Sequence, residues 1–231
     1  MTRQALVEPS ISYAVERSAR RTIGLYVERD GGVLVRAPQS TTDERIAAVI
    51  KAKQKWIYRA QARWAALNPQ HAQREFVSGE TIYFLGRPHR LDFRLDAAPV
   101  VLLEGELFIL RTADRPRAES LLRDFYRSAG QDRLPELVQM HSVSMGLTPA
   151  RIRIQELGHR WGSCSEAGTL NFHWKAMALP LEVLHYLVVH ELAHLGQRDH
   201  SPNFWRLVER EMPDWRTHAK WLDFHGAQMT L

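Results

Sequence analysis

The sequence predicts an α+β fold in which a β-rich amino-terminal part precedes a second part that ends in helices. Three observations carry this. Apolar residues alternate with period two across 11–36 and again across 81–111. A helical period takes over at Thr42 and again from about Pro116. From Leu181 onward, three proline-marked starts divide the end of the chain into helices.

Taken in order, ISYAVERS alternates as a strand, and TIGLYVERDGGVLVRAP reads as two short strands about an Asp30-Gly31-Gly32 turn. The helix from Thr42 sets Ile46, Val49, Ile50, Trp56 and Ile57 on one side and ends at Asn68-Pro69. Strands return in TIYFLGRPHRLDFRL and VVLLEGELFILR, with turns expected at Gly86-Arg87-Pro88 and Glu104-Gly105-Glu106. A helix then runs from about Pro116 towards Met145, and Pro135 either kinks it or divides it in two. ARIRIQEL is a strand, HRWGSCSEAG a loop and TLNFHWKA another strand. Pro180 starts a helix over Leu181 to about Gly196, Ser201-Pro202 opens the next and Pro213-Asp214 the last. The boundary between the two parts falls near residue 76, giving 1–75 and 76–231. Strands on both sides of it are of a kind that can share one sheet.

Of the 231 residues 45% are hydrophobic and 25% charged, which excludes a disordered or fibrous chain. The lone Cys164 excludes an intrachain disulfide and a cysteine-rich structural metal site. The opening residues lack the apolar segment of a secretory signal, and no run approaches about eighteen apolar residues, so neither export nor a membrane partner is expected. A reducing cytoplasm is the expected compartment. Residues 1–75 hold 13 Lys and Arg against 7 Asp and Glu, whereas the remainder holds 18 against 19. Such a basic region is ordinarily a solvated face; nucleic acid, anionic lipid or an acidic protein is the alternative partner.

The chemistry lies in His190-Glu191-Leu192-Ala193-His194. Histidines at i and i+4 stand one turn apart on one helical face, so both rings can reach one ion. At about 100° per residue, Glu191 follows on the same flank, beside the apolar stripe of Val188, Leu192 and Leu195. A catalytic zinc site takes three protein ligands plus water. His200 is the favoured third, with Gly196 letting the chain stop and turn back; Glu209 and Glu211 are the alternatives. One Zn²⁺ per chain with Glu191 as general base describes a hydrolase acting on a peptide or protein substrate. The competing reading is a nucleotide phosphoanhydride hydrolase with Arg17, Arg20, Arg21 and Arg160 on phosphates, against which stands the absence of a glycine-rich phosphate loop. His185 reads as a partly buried histidine, and His218 and His225 as surface residues; His159 and His173 stay open.

RWGSCS at 160–165, TLNFHWK, LPLEVLHYLVVHELAHL, HSPNFW at 200–205 and the amino-terminal RSARRTIGLYVERDGGVLVRAP and KQKWI together resemble the YgjP-like metallopeptidases. These are relatives of the SprT-like and WLM peptidases in the zincin group. The resemblance implies a zincin-like metallopeptidase domain with His190, His194 and His200 in the ligand positions and Glu191 as base. It also implies that an edge strand, here 169–175 with Asn171, holds extended substrate by strand addition. Kinship with SprT-like peptidases adds a nucleic-acid-associated protease as a further possibility. In the RWGSCS run, Arg160 or Ser163 contacts substrate on one reading; on the other, Trp161 anchors core and Gly162 permits a turn. Cys164 reads best as a small buried hydrophobe, and Phe204, Trp205, Trp215 and Trp221 as core between the last helices. Gln197 stands where the longer metzincin motif has glycine, so that group is not assigned.

Overall fold

The computed structural model describes residues 11–27, 31–67, 74–98, 100–158, 160–226, 229 and 231. The chain folds as two compact units, Met1–His71 and Ala72–Leu231.

The first unit holds β1 (Ala14–Ser18), β2 (Gly24–Val27), β3 (Val33–Pro38) and α1 (Asp43–Leu67). The strand order is β1-β3-β2, with β1 parallel and β2 antiparallel to β3. Alternation along β3 turns Val33, Val35 and Ala37 inward, where they meet Ile46, Ile50 and Ile57 of α1. Trp64 Nε1 donates to the Val27 carbonyl (3.1 Å) and Gln61 to that of Gly31 (2.7 Å), fastening the helix to the hairpin. Trp56, expected on the apolar side, is instead 47% exposed. It lies about 100° from Ile57 around the helix, off the stripe that Ile46, Ile50 and Ile57 define. Asp30 and Asn68-Pro69 fall outside the described residues.

The second unit begins with a sheet of order β4-β5-β7-β6, from β4 (Thr81–Phe84), β5 (Arg87–Arg94), β6 (Leu102–Glu104) and β7 (Leu107–Arg111). The β4–β5 turn is Leu85-Gly86, both at positive φ, and Arg87 and Pro88 already belong to β5. This corrects the three-residue turn read from sequence. Pro88 is tolerated because the pairing of β5 with β7 starts only at Arg90. Gly86 meets a second demand: a Cβ there would lie 2.6 Å from Pro180 Cα. The hairpin can therefore donate Leu85 N–H to Met177 O (2.7 Å) and Gly86 N–H to Ala178 O (3.2 Å).

A 3₁₀ turn (Thr112–Arg117) leads into α2 (Ala118–Met145), closed by Gly146 in the left-handed conformation. Pro135 does not divide the helix; the carbonyl it deprives of a partner belongs to the exposed Gln131, where water can replace the lost bond. The last sheet has order β8-β10-β9, from β8 (Arg151–Gln155), β9 (Gly162–Cys164) and β10 (Thr169–His173). Thus part of the expected 159–168 loop is strand. A 3₁₀ turn (Trp174–Ala178) then leads to α3 (Leu181–Gly196), α4 (Pro202–Glu211) and α5 (Trp215–His225). Ser201 sits at the start of α4 without a side-chain capping bond. Gly196 does not adopt positive φ; a Cβ there would come within 3.1 Å of Leu207 Cδ1, so closeness to α4 is its use.

Packing puts α3 at the centre of this unit, against α2, α4, α5 and β9. Val183, Leu184, Leu187, Val188, Val189, Leu192 and Ala193 are all buried. Each such Leu or Val contributes on the order of 1.5–3 kcal/mol relative to exposure. A helix so enclosed is a rigid base for the polar side chains it carries. No helix among the described residues is long and apolar enough to cross a membrane.

Candidate metal centre

Residues at i and i+4 on α3 bring His190 and His194 together, with ring centroids 5.0 Å apart. His200, in the short link to α4, completes the group: one ligating atom from each of the three histidines lies within 4.8 Å of the others. His190 Nε2 and His200 Nε2 are 3.1 Å apart. Tetrahedral coordination at about 2.0–2.1 Å per Zn–N bond needs nitrogens roughly 3.3 Å apart, close to this spacing.

The outward nitrogens are held. His194 Nδ1 donates to the Gln197 carbonyl (3.1 Å), leaving Nε2 unprotonated and turned to its neighbours. His190 Nδ1 meets the Tyr186 hydroxyl at 3.4 Å, four residues back on α3. Such partners fix ring orientation and tautomer in metal sites. Burial, then the neighbouring His194 and His200, pushes the His190 pKa down to about 3; burial also lowers those of His194 and His200. All three rings are therefore neutral at pH 7, the form that ligates a metal. Phe204 walls the group, 4.5 Å from His194 and 4.8 Å from His200 between ring centroids, with Trp205 5.6 Å from His200. These two aromatic residues do more than fill core. Trp205 also stacks on Trp215 at 4.1 Å.

Glu191 is only 4% exposed, and its Oε2 has no hydrogen-bond partner among the described residues. Burial raises its pKa to about 8, opposed by the Arg160 guanidinium. The carboxyl group fits where it does because β9 presents no side chain at Gly162: a Cβ there would lie 2.6 Å from Glu191 Oε1. Gly162 is an ordinary strand residue, so the turn that one of the two readings gave it does not form there. Three neutral imidazoles beside an unpartnered buried carboxylate oxygen suit a divalent ion with an attached water.

The other sequence candidates separate clearly. Arg160 is exposed and close enough to Glu191 to affect its titration. Ser163 and Asn171 are cross-strand partners, and Asn171 Nδ2 reaches both the Ser163 carbonyl and its Oγ at 3.3 Å. Asn171 Oδ1 accepts from Gln155 at 3.1 Å. The strand expected to be an edge, 169–175, is not one: β10 lies between β8 and β9, and β9 is the edge next to α3. Glu209 pairs with Arg216 (2.6 Å) and Glu211 with His141 (2.6 Å), so both alternative third ligands are engaged elsewhere. His173 accepts from Lys175 N–H at Nδ1 and donates to Glu156 from Nε2 (2.7 Å), a structural role. Half-exposed Cys164 lies 3.6 Å from Arg198 Nη1. His218 is largely covered and pairs with Asp214 at 3.1 Å. His159 lies outside the described residues.

Sequence reasoning missed several supports. Tyr186 was legible as the residue four before His190. The Gln197 carbonyl was not, since backbone groups carry no identity. Arg198 donates to the Ser165 (2.7 Å) and Glu166 (3.0 Å) carbonyls, tying the end of α3 to the β9–β10 turn. His141 of α2 bridges His185 of α3 (2.8 Å) and Glu211 of α4 (2.6 Å), with Ser144 donating to the same carboxylate. This chain ties α2 to α3, which carries His190 and His194, and to α4, which follows His200.

A comparison with curated proteins finds no match. The crystal structure of the metallopeptidase zymogen of Pyrococcus abyssi abylysin is similar at 27% identity, over 37% of this chain and 88% of that one, with a TM-score of 0.35. The family profile described as "YgjP-like, metallopeptidase domain" matches residues 21–225. The chain belongs to the YgjP-like family and carries its metallopeptidase domain.

Proposed function

We propose that this metallopeptidase-family protein is a zinc-dependent peptidase, with His190, His194 and His200 holding one ion per chain and Glu191 as general base. The observation that carries the proposal is the convergence of three neutral imidazoles beside the buried, unpartnered Oε2 of Glu191. Nitrogen-only ligation by imidazole suits Zn²⁺ among the common divalent ions. When bound, the ion supplies an acidified water and polarises the substrate carbonyl. With the ion bound, its positive charge would lower the Glu191 pKa from the raised metal-free value, so that Glu191 would stand as a carboxylate at pH 7 and take the proton of the attacking water at Oε2. Its enclosure raises its proton affinity, so it retains that proton until the leaving amine can accept it. Arg160, exposed beside Glu191, is the side chain for a substrate carbonyl or carboxylate.

Substrate binding follows from β9. Trp161 O accepts from His173 N–H (2.8 Å) and Ser165 N–H donates to Thr169 O (2.9 Å), so these positions and Ser163 between them face β10. By antiparallel alternation, the main-chain groups of Gly162 and Cys164 face the other way. An extended peptide adds there as a further strand, its backbone drawn along Glu191. Ser163 and Asn171, bonded to one another, brace this edge.

Elemental analysis of purified protein tests the centre. About one zinc per chain is expected, lost in His194→Ala and in His200→Ala, with peptide cleavage abolished in Glu191→Gln. Wild-type protein that binds no metal even after zinc is added back would overturn the proposal.

A further inference from the structure

The amino-terminal unit presents a charged surface of its own. From Arg45 to Leu67, α1 carries six Lys and Arg and no Asp or Glu. At about 100° per residue, Arg45, Lys51, Lys55 and Arg59 fall on the arc opposite Ile46, Ile50 and Ile57. All four cations are exposed, and among the described residues no carboxylate pairs with them. Exposed Ala48 and Ala52 lie between them, and the 47% exposed Trp56 borders the arc. The exposed Glu44 of the first turn falls on the same arc at its amino-terminal end, so the cationic stripe proper runs from Lys51 to Arg59 with Arg45 beside Glu44.

We infer that this face of α1 binds the phosphate backbone of a nucleic acid. Charge complementarity is the first argument: an unpaired cationic stripe matches a continuous polyanion. Along the helix axis, Lys51 and Arg59 are about 12 Å apart, the length of about three to four phosphates of one strand at roughly 3.4 Å each. The alanines let a backbone approach closely, and Trp56 offers a ring to a sugar or an unstacked base. A membrane surface fits poorly. The apolar side of α1 is already spent on Val33, Val35 and Ala37, so no apolar face remains to enter a bilayer. This inference rests on the first unit alone and is independent of the zinc-peptidase reading.

The test uses the full chain and a fluorescently labelled mixed-sequence duplex, followed by anisotropy across a range of salt. With four cations engaged, log K should fall against log salt with a slope of about −3.6. Lys51→Glu, Lys55→Glu and Arg59→Glu combined should weaken binding on the order of 100-fold or more and flatten the slope by about 2.7. On a single-stranded oligonucleotide of the same length, whose bases are free to stack, Trp56→Ala should weaken binding about tenfold without changing the slope. Unchanged thermal unfolding and metal content in these variants show that fold and metal centre are intact. Wild-type affinity and slope in the triple variant would overturn the inference. So would equally tight binding to polyglutamate or to phosphatidylserine vesicles. Failure here leaves the metal content untouched, and failure of the zinc reading leaves this binding untouched.

Discussion

Gly162→Ala places one methyl group against the residue proposed as general base. The new Cβ would lie 2.6 Å from Oε1, 2.8 Å from Cδ and 2.8 Å from Cγ of Glu191. Ordinary carbon contacts lie at about 3.5–4.0 Å, so the overlap is roughly 1 Å with three atoms at once. The backbone is poorly placed to yield, because β9 is tied to β10 at both ends and α3 is buried. The Glu191 side chain is therefore the part that moves. Overpacking of this kind costs about 1–3 kcal/mol, seen as a lower Tm. Misplacing a reacting group by about 1 Å costs on the order of 100-fold in rate. Three measurements serve: zinc content, kcat on a cleavable peptide, and the Glu191 side-chain carboxyl followed by ¹³C NMR against pH in metal-free protein. Zinc should stay near one per chain while kcat falls about 100-fold, and the titration should move from about 8 towards 4.5 as the carboxyl is pushed out of its enclosure. Wild-type kcat with an unshifted titration would refute the reasoning. Loss of zinc along with activity would show that the methyl deforms the whole centre instead of displacing Glu191.

Tyr186→Phe removes the hydroxyl at His190 Nδ1 and should weaken zinc binding about 10-fold in chelator competition; unchanged affinity would mean that packing alone orients the ring. His141→Phe leaves His185 and Glu211 without their shared partner and should cost about 2–4 kcal/mol in urea unfolding; a loss under about 0.5 kcal/mol, the scale of an ordinary surface substitution, would show the chain to be incidental. In metal-free protein the folded Glu191 carboxyl binds its proton more tightly than the unfolded chain does. Its stabilising contribution is thus complete below the ordinary glutamate value of 4.5 and is lost as pH rises towards about 8. Metal-free Glu191→Gln should be flatter over that window, and a slope equal to that of wild type would assign the effect to other groups.

Much of the second unit was legible because its signals are local. Prolines and helical period marked Leu181–Gly196 and the starts of α4 and α5, since proline's fixed φ and missing N–H act within one turn. Two histidines four apart were bound to share a face once that segment was helical. The turn is Leu85-Gly86 and not the Gly86-Arg87-Pro88 read from sequence, because proline is a strong turn signal and the place of Pro88 in β5 depends on where β7 begins to pair. Pro135 was ambiguous for a similar reason: solvent beside Gln131 decided whether the helix continued.

What the sequence determined by itself was that His190, Glu191 and His194 share one helical flank, with His200 favoured over Glu209 and Glu211 as a candidate third ligand. Periodicity and spacing depend only on neighbours along the chain. Tertiary structure alone decided which strand is the edge, since strand order depends on pairings between distant segments and put β10 inside the sheet and β9 outside it. It also decided the meaning of Gly162. A glycine read alone suggests a turn; here the missing methyl is the space into which Glu191, 29 positions further on, places its carboxyl group. Close packing makes such a vacancy significant, because a buried atom can go only where its neighbours leave room.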